Sequence, residues 1–119
     1  MAKILLAEDD DSMRHFLARA LERAGHEVVA VGQGDEALPV LAEVRFDLLL
    51  ADIVMPEMDG IELARRAVSI DPNIRIMFIT GFAAVALHNR NHAQSDAKIL
   101  SKPFHLRDLV DEINRTLAA

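Results

Sequence analysis

Four short apolar runs in this sequence end at groups suited to phosphate chemistry. Glu8-Asp9 follow Ile4-Leu5-Leu6-Ala7, and Asp52 follows Leu48-Leu49-Leu50-Ala51. Thr80 follows Ile76-Met77-Phe78-Ile79, and Lys102 follows Ile99-Leu100-Ser101. A short apolar run fits a strand buried on both faces, so each group falls at a strand's carboxyl end. Three carboxylates gathered in one pocket repel one another and require a neutralising cation. Oxygen donors without thiolates or paired histidines suit a hard ion, Mg²⁺ held partly by water. Lys102 adds a mobile positive charge and Thr80 a hydroxyl, and both can bind a phosphoryl group that a carboxylate has accepted. Asp52 is then the nucleophile, forming an acyl phosphate while the metal and Lys102 stabilise the charge.

Taken singly, each residue has an ordinary explanation. A strand-terminal Asp usually caps a turn, a lone Lys is usually solvated, and a Thr at a strand end is common. Their joint placement at one sheet edge is what points to chemistry.

That placement depends on the elements. Residues 47–60 anchor the chain: the run Leu48–Ala51 stops at Asp52, and Pro56 forbids regular structure in the loop that follows. Strands are expected at 3–7, 28–31, 48–51, 74–79 and 97–101. The first helix takes Asp10 or Asp11 as N-cap, shows Met13, Phe16, Leu17, Ala20, Leu21 and Ala24 on one face, and stops at Gly25. Asp35–Glu43 is a short helix in which Pro39 is awkward, requiring a late start or a bend. Asp59-Gly60-Ile61-Glu62 has the form of a capping box. The helix it opens buries Ile61, Ala64, Ala67 and Val68 and ends before Pro72. A helix at 82–87 precedes a polar, weakly patterned stretch. The last helix has Leu106, Leu109, Val110, Ile113 and Leu117 on one face.

Strand and helix alternate five times, which predicts an α/β fold. It is a flavodoxin-like, doubly wound, five-stranded parallel sheet of order 2-1-3-4-5 with five helices. Ligands of such sheets bind where the strand order reverses, here between the strands that end in Glu8-Asp9 and in Asp52.

Bulk properties narrow the function classes. At 119 residues and 51% hydrophobic content, one domain with a full core is expected, with no effector domain. A net charge of −6 without a basic cluster argues against nucleic acid as a partner. No 18-residue apolar run and no leader-like start are present, so a cytoplasmic protein without a membrane partner is expected. Cysteine is absent, which excludes disulfides.

The sequence resembles the receiver domains of bacterial two-component response regulators over essentially its whole length. The resemblance rests on Ile4-Leu-Leu-Ala-Glu8-Asp9, Asp52-Ile-Val-Met-Pro56-Glu-Met-Asp59-Gly60, Ile79-Thr80-Gly81 and Lys102-Pro103-Phe104. It implies Asp52 as phosphoacceptor, with Glu8, Asp9, Asp52 and the Val54 carbonyl around Mg²⁺. It also implies Thr80 as the switch hydroxyl, Lys102 as phosphate ligand before a cis Lys102–Pro103 bond, and Asp10 as a capping residue. A histidine kinase or histidine phosphotransfer protein is the implied phosphodonor. More narrowly, Met77-Phe-Ile-Thr-Gly-Phe-Ala-Ala-Val-Ala-Leu87 and Leu100-Ser-Lys-Pro-Phe-His-Leu106 are similar to the single-domain, CpdR-type receivers of alphaproteobacteria. That similarity implies a cell-cycle adaptor that primes the Clp protease and its unfoldase for chosen substrates when unphosphorylated. The carboxyl-terminal Leu117-Ala118-Ala119 also looks like a degradation tag or, equally, a frayed helix end.

One departure is at Ile99, where many receivers carry Tyr or Phe three residues before the Lys. An aliphatic side chain lacks the polar tip of such a switch, and Phe82 is the substitute at hand. Val54 and Phe82 offer no polar group to hold a hydrolytic water, which predicts a slowly hydrolysed phosphoaspartate. Rival readings are a phosphate-shuttle receiver of chemotaxis or stress type, a Mg²⁺-dependent phosphohydrolase, and a flavodoxin-type binding module. A phosphohydrolase of the haloacid dehalogenase type wants a second Asp where Val54 stands. A nucleotide or flavin module wants a glycine-rich loop where Glu8-Asp9 stand. His88 and His92 have a helical metal-binding spacing but no third ligand, and a solvated face is the better reading.

Overall fold

A computed structural model describes residues 2–80, 98–101 and 105–118. Five strands, β1 (Lys3–Ala7), β2 (Glu27–Val31), β3 (Leu48–Asp52), β4 (Arg75–Thr80) and β5 (Lys98–Ser101), form one parallel sheet. Its order is β2-β1-β3-β4-β5, the order expected from the sequence. Four helices are seen among the described residues: α1 (Asp11–Arg23), α2 (Gly34–Glu43), α3 (Gly60–Ile70) and α4 (Leu106–Ala118). The fifth expected helix, at 82–87, lies outside the described residues.

Side chains alternate across a strand, and the two faces of the sheet carry separate cores. Ile4, Leu6, Leu48, Leu50, Met77 and Ile79 pack under Leu17 and Leu21 of α1 and Leu109 and Ile113 of α4. Leu5, Leu49, Ala51, Ile76 and Phe78 pack under Ala37 and Leu41 of α2 and Leu63, Ala64 and Ala67 of α3. Ile99 is half-buried and joins this second core. A β3 strand buried at every position explains why Leu48–Ala51 reads as a continuous apolar run.

Chain ends of the helices follow local chemistry. The Asp10 carboxylate accepts from the Met13 N–H at 2.9 Å and caps α1. At the other end Gly25 takes φ +98°, its N–H donates to the Glu22 carbonyl, and the His26 N–H donates to the Leu21 carbonyl. This left-handed stop favours glycine because a φ of +98° is a backbone conformation that L side chains rarely adopt, although the space around it is open. The Asp59 carboxylate caps α3 through the Glu62 N–H at 2.8 Å. The Glu62 carboxylate reaches forward to Arg66 at 3.0 Å and Arg65 at 3.5 Å.

Three expectations shift. Phe16 is 55% exposed and Ala24 is exposed, so the buried stripe of α1 narrows to Leu17, Ala20 and Leu21. β4 extends one residue further than the apolar run and takes in Thr80. Pro39 sits inside α2, which starts early, at Gly34. The proline ring is on the exposed side, where the helix loses one bond without disturbing the core.

Candidate functional site

The register of β1 against β3 builds the site. Their last paired residues are Ala7 and Ala51. One step further stand Glu8 and Asp52, on the same face as Leu6 and Leu50 by the period-two rule. Strand neighbours lie roughly 5 Å apart, so adjacency of these strands makes two carboxylates neighbours. Asp9 follows Glu8 as the chain leaves the strand. One oxygen from each of Glu8, Asp9 and Asp52 lies within 4.8 Å of the others. Glu8 and Asp52 are buried, and Asp9 is exposed.

Backbone amides fix these side chains. Val54 N–H donates to Asp52 Oδ1 at 3.1 Å, and Asp10 N–H donates to Glu8 Oε2 at 3.1 Å. The loop after Asp52 is shaped by a tight three-residue turn, in which the Met58 N–H donates to the Pro56 carbonyl at 2.8 Å. Its central residue, Glu57, has φ +69°, a strained value for a side chain with a Cβ. Gly60 then returns beneath the site, donating its N–H to the Ile53 carbonyl at 2.9 Å. A Cβ at Gly60 would overlap the Asp52 carbonyl oxygen and crowd Ile53 Cα.

The residue set fits a hard divalent cation. Three carboxylates of like charge, two of them buried, are costly to hold together without a counter-charge, and all the donors are oxygen. Thr80 is buried at the end of β4, next to β3 in the sheet. Val54 is 47% exposed in the loop after Asp52. Lys102, Pro103, Phe82, His88 and His92 lie outside the described residues. Sequence reasoning missed Arg14, whose guanidinium donates to the Glu8 carbonyl at 3.0 Å. A lone arginine in a helix's second turn carries no sequence signal of such a contact.

The family model of the response regulator receiver domain matches residues 4–114 of this chain. The chain belongs to the response regulator receiver family. This receiver is 64% identical over 119 residues to the response regulator receiver protein CpdR of Brucella abortus (strain 2308), covering 100% of this chain and 99% of that protein. It is 29% identical to sporulation initiation phosphotransferase F of Bacillus subtilis (strain 168), over 97% of this chain and 93% of the relative. Among solved structures, a response regulator receiver protein from Sinorhizobium medicae WSM419 superposes with a TM-score of 0.90 at 34% identity, covering 98% and 94% of the two chains. Receivers bind Mg²⁺ at an acidic pocket, and the receiver described here has such a pocket in Glu8, Asp9 and Asp52. No helix among the described residues is long and apolar enough to cross a membrane.

Proposed function

We propose that this chain is a stand-alone receiver, phosphorylated on Asp52 in a Mg²⁺-dependent phosphorelay, that signals by protein–protein contact. The observation that carries this reading is the convergence of Glu8, Asp9 and Asp52 oxygens within 4.8 Å at the carboxyl end of β3. An Asp52 carboxylate oxygen attacks the phosphorus of a partner's phosphohistidine. The new O–P bond forms as the P–N bond breaks, and the imidazole leaves with the electron pair. Glu8, Asp9, Asp52 and the Val54 carbonyl are assigned as metal ligands. The bound Mg²⁺ would offset charge on the phosphoryl oxygens. Lys102 and Thr80 are assigned to the phosphoryl group, Lys102 as its charge partner and Thr80 as the hydroxyl that follows it. The chain catalyses only its own phosphorylation and dephosphorylation and acts as a cytoplasmic switch.

Such a switch works when the phosphoryl group binds one conformation more tightly than another by a few kcal/mol. The proposed output is control of the Clp protease as a cell-cycle adaptor. Its support is the CpdR-like character of the sequence and the 64% identity along nearly the whole length of the Brucella protein. Transfer of phosphate onward between a kinase and a transferase is the second reading, favoured by the similarity to the Bacillus phosphotransferase.

Intact mass after treatment with acetyl phosphate and Mg²⁺ tests the chemistry. Wild type should gain one phosphoryl group, and Asp52→Asn should gain none. Pull-down with and without the acyl-phosphate donor separates the outputs. An adaptor should capture the Clp unfoldase chiefly in the unphosphorylated form, whereas a shuttle should capture kinase and transferase.

A further inference from the structure

We propose that Arg14 is a positioning residue for the cation site, holding the loop that aims Glu8 and Asp9 at Asp52. The inference rests on the Mg²⁺-binding role proposed above. Glu8 and Asp9 are consecutive, and consecutive residues of a straight strand point to opposite faces. For both to reach Asp52 the backbone must turn at this peptide and stay turned. The Glu8 carbonyl belongs to that peptide, and Arg14 Nη1 donates to it at 3.0 Å. The other guanidinium nitrogen, Nη2, pairs with Asp11 Oδ1 at 2.6 Å. The planar guanidinium therefore ties the peptide between the two acids to the first turn of α1, with a fixed fork that an ammonium lacks.

A third element supports the same side chain. Arg14 Nη1 lies over Gly32, the first residue after β2, where an added Cβ would come within 3.2 Å of it. The Glu36 carboxylate crosses the same residue from α2, accepting the Gly32 N–H at 3.1 Å. Gly32 leaves the room that the guanidinium occupies, and the Arg14 side chain is 22% exposed there. Arg14 thus connects the β1–α1 loop, α1 and the β2–α2 loop immediately behind the acid pair.

Charge and positioning make opposite predictions, which gives the test its edge. A cation beside an acidic pocket repels Mg²⁺, so an Arg14 acting through its charge alone would tighten metal binding when removed. An Arg14 that acts by positioning weakens binding when removed. The experiment is Mg²⁺ titration calorimetry on the full chain for wild type, Arg14→Ala, Arg14→Lys and Gly32→Ala, with metal-free thermal midpoints as fold controls. Arg14→Ala should bind Mg²⁺ roughly tenfold more weakly, as loss of an outer-shell partner commonly does. Arg14→Lys should recover only part of this, since it restores charge and one donor but not the fork. Gly32→Ala retains Arg14 but brings a Cβ within 3.2 Å of its Nη1 and 3.4 Å of the Glu36 carboxylate, which crowds the guanidinium and should weaken binding in the same direction by less than Arg14→Ala. In the metal-free protein the Asp9 and Asp10 amide resonances should shift in each variant.

Unchanged or tighter Mg²⁺ binding in folded Arg14→Ala, or in Gly32→Ala where Arg14→Ala does not fold, overturns the inference. Absence of Mg²⁺ binding in wild type overturns the proposed function instead.

Discussion

Val54 stands two residues beyond Asp52 with its side chain half exposed and no group able to hold a water. At the scale of single residues, and with Asp52 phosphorylated as proposed, this predicts a long-lived phosphoryl group. A phosphoaspartate time course by mass should show wild type persisting for minutes or longer, with Val54→Asn shortening it; decay of wild type within seconds would count against the argument. Glu57 is a different kind of residue effect, because its φ of +69° is set by the turn and not by its side chain. Glu57 already carries the roughly 1–3 kcal/mol that such a position costs a non-glycine side chain, so Glu57→Gly should be neutral or stabilising in urea denaturation, while β-branched Glu57→Val should be less stable than wild type. Neither Glu57 nor Arg14 was legible in the sequence. Both rest on contacts short in sequence, Arg14 to Glu8 and Met58 to Pro56, that form only in one loop conformation and leave no residue pattern.

At the scale of elements, the loop after β3 is held from below by α3. Gly60 begins that helix with its Cα against the Asp52 carbonyl, so the helix start and the proposed phosphoacceptor share one backbone contact. Gly60→Ala should destabilise the fold by about 1–3 kcal/mol, the cost of overpacking, and should also lower the yield of phosphorylated protein. Helix α2 gives the opposite sign. Pro39 withholds a donor from the Asp35 carbonyl on an exposed face, so Pro39→Ala should raise stability by about 1–3 kcal/mol. Thermal or urea midpoints check both. The caps and stops were readable beforehand because Asp10, Gly25 and Asp59 act on backbone groups within three or four residues of themselves. Phe16 was misplaced because a helical stripe shows which residues share a side, not how wide the surface is that covers them. Here Leu17 and Leu21 fill the contact with the sheet, and Phe16 stays 55% exposed.

At the scale of the whole molecule, the site exists only when the sheet is assembled, so metal binding and folding are coupled. Mg²⁺ at about a hundred times its dissociation constant should stabilise the folded chain by about 2.7 kcal/mol. Asp9→Asn, which removes one carboxylate from the cluster, should reduce that gain, as read by the thermal midpoint with and without Mg²⁺. The sequence by itself determined the strands, their buried faces, the helix caps and the chemical types gathered at strand ends. Those follow from local periodicity, backbone chemistry and the alternation of elements, which also restricts the sheet to a few orders. Only the tertiary structure decided that β1 and β3 lie in a register that sets Glu8 beside Asp52. It also decided that Gly60 packs against the Asp52 backbone and that Arg14 reaches the Glu8 carbonyl. Each of these contacts joins residues that only packing brings together, and its energy depends on distances of a few ångströms that no residue pattern encodes.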